Sequence, residues 1–338
     1  MATITSAARR PFGLARAARA AGRWAARVAG AALILAGSLG LAGAAYESLA
    51  ARGDAERFPP PGRLVDVGGY SMHIHCVGTG GPTVVLDSGY AGAAVNWHGV
   101  LPALAEGGRV CLYDRAGLGW SEPSPRPRTP RAMAAELRTL LERAGERGPY
   151  VLAGLSLGAK YVRAFALDYP EEVAGLVFAD ARNEYFDALA APSYRATEER
   201  LIPLFAALSE LTGRVGLARL LPVSEPAAPH QLSAADQRAR NVLATRPRAV
   251  AAARAEFFGQ FADNEALAAA SLGDLPVVVL AAGKGGMAYA GWAEAQERLA
   301  AQSSRGRLVV LPEAGHDIPA SDPAAFVAAV AEVVAAAR

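Results

Sequence analysis

From residue 82 to residue 315, short and nearly continuous apolar runs alternate with segments whose apolar positions recur every three or four residues. The runs are PTVVLDSG (82–89), RVCLYDRAG (109–117), PYVLAGLSLG (149–158), VAGLVFADA (173–181), PVVVLAAG (276–283) and RLVVLPEAG (307–315), each closing on a turn that contains Gly or Asp. Runs of this length without polar alternation predict strands covered on both faces, as in a parallel sheet. Helical periodicity predicts helices over 131–145, 159–168, 285–302 and 322–338. Ahead of them, RLVDVGG and SMHIHCVG read as hairpin arms joined through Gly68-Gly69-Tyr70. The pattern predicts an α/β core, with a mostly parallel, eight-stranded sheet and a leading antiparallel pair. Residues 183–272 break the rhythm, with no strand-like run but apolar-periodic helices that include 198–211 and 247–262. Bracketed by strands of one sheet, they are expected to form a helical cap between core segments 56–182 and 273–338.

The N-terminal part has a different pattern. Val28 to Tyr46 carries no charge, and at 1.5 Å per residue its 19 residues reach roughly 28 Å, near the thickness of a bilayer's hydrocarbon core. Six arginines (Arg9, Arg10, Arg16, Arg19, Arg23, Arg27) precede it and Glu47 follows, so the positive-inside rule puts the N-terminus in the cytoplasm and the body outside. The first reading is a retained membrane anchor, because the run exceeds an ordinary signal core. The second is a cleaved export signal, with Ala42-Gly43-Ala44 as an A-x-A site and Arg9-Arg10 as a distant twin-arginine-like pair. A buried helix of the soluble body fits poorly. All three readings leave residues 1–55 outside the catalytic fold, and Pro59-Pro60-Pro61-Gly62 stiffens the joint.

Composition narrows the class. With 52% hydrophobic and 20% charged positions, the 338 residues are too apolar for a disordered chain. Of 34 lysines and arginines, 28 lie beyond residue 27 against 32 acids, so the body is slightly acidic and nucleic acid is not an expected partner. No His/Cys/Glu grouping has metal-ligand spacing, and Gly283-Lys284-Gly285-Gly286 lacks the spacing of a phosphate loop. No metal or cofactor is expected.

Candidate chemistry sits at the carboxyl ends of the strands, where open α/β sheets bind ligands. Gly154-Leu155-Ser156-Leu157-Gly158 joins a buried strand to a helix. Such a turn lifts a nucleophilic hydroxyl clear of the backbone, while Gly154 and Gly158 let strand and helix close around it. The N–H of Leu157, at the helix N-terminus, points where an oxyanion would form. A serine nucleophile needs a base with a pKa near working pH. Among five histidines, His73 and His75 lie on an early strand and His230 in the cap. His316 follows the last strand and is preferred, with His98 as its rival. Asp180 ends the GLVFA strand, where its carboxylate could orient the imidazole. Glu184 and Asp187 are the spares.

Residues 62–338 resemble the α/β-hydrolase fold superfamily, and most closely bacterial serine hydrolases that carry an N-terminal membrane segment. Besides the G-x-S-x-G elbow, the resemblance rests on Tyr113-Asp114-Arg115-Ala116-Gly117-Leu118-Gly119-Trp120-Ser121, on Gly315-His316 and on the PTVVLDSG strand. It implies that the order Ser156, Asp180, His316 matches the family's triad order. It also implies that the N–H of Tyr90, in Ser88-Gly89-Tyr90, joins that of Leu157 as an oxyanion donor. Leu155 stands where many relatives have His, and Gly158-Ala159 where they have two glycines. The strand before the last ends in Leu280-Ala281-Ala282-Gly283 without the usual acid.

A serine nucleophile points to acyl transfer, in contrast to the aspartate nucleophile of dehalogenases and epoxide hydrolases. The expected function is hydrolysis of a carboxylic ester or related small acyl compound through an acyl-enzyme, with an acyltransferase, a cofactor-free perhydrolase or a catalytically silent binding module as alternatives. Leu201, Ile202, Leu204, Phe205, Leu208, Phe257, Phe258 and Phe261 are expected to line an apolar pocket under the cap. Cys76 and Cys111 lie on runs that are neighbours in this fold; a disulfide and two buried thiols both remain open.

Overall fold

The computed structural model describes residues 12–219, 232–284 and 289–338, so Arg9-Arg10, His230 and the Gly285-Gly286 turn lie outside the described residues. A 46-residue helix, α1 (Phe12–Arg57), leads into the body. Then follow β1 (Arg63–Asp66), β2 (Ser71–Val77), β3 (Thr83–Asp87), α2 (Leu101–Gly107), β4 (Val110–Tyr113), α3 (Pro130–Arg143), β5 (Tyr150–Leu155), α4 (Leu157–Asp168) and β6 (Val173–Ala179). Five helices come next: α5 (Glu184–Leu189), α6 (Pro192–Arg214), α7 (Ala234–Thr245), α8 (Pro247–Gly259) and α9 (Asn264–Ala269). The chain closes with β7 (Val277–Ala282), α10 (Trp292–Ala300), β8 (Gly306–Leu311), α11 (Ile318–Ser321) and α12 (Pro323–Ala336).

The eight strands form one sheet in the order β1-β2-β4-β3-β5-β6-β7-β8. β1 and β2 pair antiparallel, β2 pairs antiparallel with β4, and every other pair is parallel. The unbroken apolar runs now have their reason. Val85, Leu152, Phe178 and Val279 face α3 and α4, while Val84, Val151, Val177 and Val278 face α2 and α12, so both faces of the central strands are dry. Only the edge strands β1 and β8 keep exposed positions.

Two details go beyond the pattern. Of the expected helix over 285–302 the structure gives α10 from Trp292 to Ala300, and short α2, α5 and α9 carry too few turns to show a period. Cys76 and Cys111 stand directly opposite each other in the antiparallel β2–β4 register and form a disulfide, with Cα atoms 4.0 Å apart. That settles the pairing in favour of the bond.

Along α1, the apolar side chains of the charge-free run are outside the fold: Leu33, Ile34 and Leu41 are each more than 70% exposed. The helix is long and apolar enough to cross a membrane.

The disulfide closes a loop spanning 35 positions, so its removal should cost about 2–4 kcal/mol. Thiol alkylation before reduction is expected to add no mass at either cysteine, and reduction to shift the denaturant midpoint down and steepen the slope, because the unlinked unfolded chain exposes more surface. Full alkylation of unreduced, folded protein contradicts the bond.

Candidate active site

Ser156 occupies the single position between β5 and α4, with φ 51° and ψ −117°. An L-residue reaches that conformation only when its surroundings impose it. Here they do. A Cβ on Gly158 would stand 2.4 Å from the carbonyl oxygen of Asp87, and one on Gly154 would stand 2.5 Å from the backbone of Ala159. The serine's N–H donates to the carbonyl of Ala179 at 2.9 Å, and its carbonyl accepts the N–H of Arg182 at 3.0 Å. Leu157 is the first residue of α4, so its N–H has no carbonyl within the helix to receive it.

Sheet register brings the other ends alongside. Leu155 pairs with Ala179, and Ala179 with Leu280, so the residues after β5 and β6 leave the same edge together. Asp180 follows β6 with φ 41°. Its Oδ1 accepts the N–H of Ala282 at 3.1 Å and Nε1–H of Trp292 at 2.8 Å, and its Oδ2 lies 2.5 Å from Nδ1 of His316. Asp180 is fully buried whereas His316 keeps 33% of its side chain exposed. The imidazole therefore faces outward over a sealed carboxylate. Ser321 holds the loop by accepting the N–H of Gly315 at 3.0 Å.

The turn after β3 carries Ser88, Gly89 and Tyr90, and its anchor is Arg115. This buried guanidinium donates to the carbonyls of Ser88 (2.6 Å) and Gly89 (2.9 Å), to Asp87 (2.6 Å), and through two nitrogens to Glu256 of α8 (2.9 Å each). Burial pushes the Asp87 carboxyl up and the Arg115 charge pulls it back. Ala91, next along this turn, has φ 55°. Among the described residues only Ala91, Ser156 and Asp180 combine a side chain with positive φ, and all three belong to these turns.

Ser156, Leu157, Tyr90 and His316 line one cavity of about 200 Å³, together with Ile202 and Phe257. Arg182 and Glu198 complete a wall more polar than expected. Arg182 bonds both Glu198 (2.7 and 3.0 Å) and Asp187 (3.1 and 2.9 Å). Burial opposes its charge, but the Glu198 hydrogen bonds and the Asp187 charge outweigh that and hold the guanidinium protonated. Of the eight apolar residues expected in the pocket, only Ile202 and Phe257 reach it. Leu201, Leu204, Phe205, Leu208 and Phe258 are 45–63% exposed and Phe261 is 37% exposed. α6 packs on α8 through its other face, which leaves Leu201, Leu204, Phe205 and Leu208 outside.

The rival residues are engaged elsewhere. His98 bonds Asp236 of α7 at 2.8 Å, and the buried His73 bonds Asp114 at 2.8 Å. Glu184 pairs with Arg163, and Asp187 pairs with Lys160 at 2.6 Å and with Arg182. Trp292, Arg115 and Arg182 were not singled out from sequence. Their one signal is chemical: a buried indole N–H or guanidinium needs an acceptor.

The sheet order, the serine turn and the His316–Asp180 pair define an α/β-hydrolase. Residues 82–323 match the alpha/beta hydrolase fold family, and the chain belongs to it. It is 32% identical over 130 residues to a Hormonema carpetanum protein named "Probable transporter efuK", covering 36% of this chain and 19% of that one. It is 33% identical over 129 residues to a 2-hydroxy-6-oxo-2,4-heptadienoate hydrolase of Pseudomonas putida, covering 37% of this chain and 46% of that one. The chain thus spans less than half the length of these curated relatives. A solved thermophilic esterase from Thermogutta terrifontis superposes with a TM-score of 0.61 at 25% identity, over 81% of this chain and 98% of that one.

Asp187 sits between two buried cations, Lys160 and Arg182. Burial alone would raise its pKa; the Lys160 and Arg182 charges outweigh burial and hold it below its ordinary 3.8. Its stabilising contribution is therefore present above that value and is lost as pH falls through the lowered one. Asp187→Asn should cost about 3 kcal/mol at neutral pH, because it leaves buried charge unpaired. Denaturant unfolding at pH 7 and pH 3 checks this: the gap between wild type and variant should narrow at the lower pH, and an unchanged gap contradicts it.

Proposed function

We propose that the protein is a serine hydrolase that cleaves a carboxylic ester or related acyl compound through an acyl-enzyme. The observation that carries the reading is a single cavity holding the strained Ser156 and an imidazole whose far nitrogen is bonded to a sealed carboxylate. Ser156 attacks the acyl carbonyl while Nε2 of His316 takes its proton. Asp180 keeps the tautomer and stabilises the imidazolium. The N–H groups of Leu157 and Tyr90 receive the oxyanion. His316 then returns the proton to the leaving alcohol, and a water activated by the same nitrogen releases the acid.

Arg115 acts as a positioning residue in this reading. By holding the carbonyls of Ser88 and Gly89, it fixes where the N–H of Tyr90 points. Segment 183–272 serves as the cap, and 56–182 with 273–338 as the core. We place residues 1–55 as a retained anchor with the body on the extracytoplasmic side. The arginines before Val28 and the Cys76–Cys111 bond, which persists in oxidising compartments, favour that side. Cleavage after the apolar run would release the same body.

The test is p-nitrophenyl ester hydrolysis by the full chain in detergent, over a series of acyl lengths. Ser156→Ala, His316→Ala and Asp180→Asn are each expected to lower kcat by about 10³-fold or more, with KM little changed. Wild-type activity in Asp180→Asn would remove the acid from the account. Inactivity of the wild type on every ester would favour a silent binding module.

Arg115→Lys keeps a charge but loses the fork. It should lower kcat about 10- to 100-fold with KM nearly constant, as expected when an oxyanion donor is displaced. A loss confined to KM contradicts the positioning role.

A further inference from the structure

We propose that the outer face of α6 is a membrane-contacting surface, and that the candidate site takes amphiphilic acyl substrates whose apolar part resides in the bilayer. Its substrate class rests on the hydrolase reading, and its surface on the anchor reading together with the packing of α1 on the corner after α6.

Leu201, Leu204, Phe205, Leu208 and Leu211 recur at helical spacing along one side of α6, and each is 45–63% exposed. The stripe covers ten residue steps, about 15 Å of helix. It stands above the cavity, since Ile202 and Glu198 of the same helix form the cavity wall. A contiguous apolar stripe of this kind marks an interaction surface.

The packing of α1 identifies the occupant. The chain after α6 turns against the end of the charge-free run: a Cβ on Gly43 would stand 2.2 Å from the carbonyl oxygen of Val215, and one on Gly216 would stand 2.9 Å from the ring of Tyr46. Just beyond, Arg219 bridges Glu47 at 2.5 Å and Asp54 at 2.7 Å, with all three side chains largely buried. The corner of the cap is thus tied to the helix at the place where apolar residues give way to charge. If Val28–Tyr46 crosses the bilayer, Val215 and Gly216 lie at its surface. Leu211, within about one turn of that corner, and Leu217, 44% exposed, then meet the acyl boundary. Lipid is the one occupant continuous with what must solvate the exposed run of α1. An interfacial apolar face of this kind buries about 5–10 Å into the headgroup region. The helix that contacts lipid on one side lines the cavity on the other, so an acyl chain would have only the thickness of the cap to cross.

The test uses the full chain in phosphatidylcholine–phosphatidylglycerol vesicles. The native cysteines are bonded to each other, so Leu208→Cys can carry a single environment-sensitive fluorophore, with the exposed Arg147→Cys, far from the cap, as control. Lipid-borne nitroxide should quench the label at 208 at least fivefold more than the label at 147. Equal quenching overturns the proposal. So does a blue shift at 208 that lipid nitroxide leaves untouched, which would assign the stripe to a second copy or another protein. In a second arm, Leu204→Glu with Leu208→Glu should lower hydrolysis of a vesicle-borne oleoyl ester at least tenfold and leave p-nitrophenyl acetate hydrolysis unchanged. Unchanged rates on both esters overturn the proposed route while the hydrolase reading stands. Wild-type inactivity on both would defeat the hydrolase reading, and with it the substrate class, while the quenching arm still decides the surface.

Discussion

The backbone crossing at Gly158 sets the geometry of everything around it. With no Cβ there, α4 approaches the end of β3 so closely that one added carbon would meet the carbonyls of Asp87 and Ser88 at 2.4 and 2.5 Å. That approach leaves one residue between β5 and α4, and the residue must take a left-handed turn with its side chain outward. It also places the turn after β3 beside the start of α4. Strand register adds the rest. β6 and β7 run parallel to β5, and their ends bring Asp180 and, through the loop after β8, His316 to the same edge.

Helices α5 and α8 are fastened to this edge by buried charge. Lys160 and Arg163, in the first turns of α4, are almost fully buried and reach Asp187 and Glu184 of α5. Arg115 reaches Glu256 of α8, and Arg128 reaches both Glu136 and Glu256. Such pairs add little net stability over an apolar contact, because desolvation offsets their attraction, yet breaking one is costly. What they supply is register. Phe257 of α8, the helix held by the forked Arg115–Glu256 bond, lines the cavity.

Much of the fold was legible in the sequence because parallel strands covered on both faces write themselves as unbroken apolar runs. The serine turn was legible because its glycines are demanded by close approach, and His316 because few histidines end strands. Asp180 was selected by strand end and chain order, and the structure puts its carboxylate on His316. The lining of the cavity was not legible. Apolar periodicity in α6 says that one face is apolar but not which body that face meets, so Leu204, Phe205 and Leu208 were assigned inward and lie outward. Arg115, Arg182 and Lys160 were hidden for a related reason: a cation in sequence gives no sign of whether a carboxylate from a distant helix awaits it.

The outward stripe of α6 ends within about a turn of the corner where Val215 and Gly216 pack on α1. The central claim, however, is that Ser156 is an activated nucleophile. The most direct measurement is covalent labelling of the full chain by a fluorophosphonate, with the modified residue located by mass spectrometry. The account predicts stoichiometric modification of Ser156, abolished in His316→Ala and slowed about 10³-fold or more in Asp180→Asn. Absence of labelling at Ser156 in folded wild-type protein, or labelling at another serine, would contradict it.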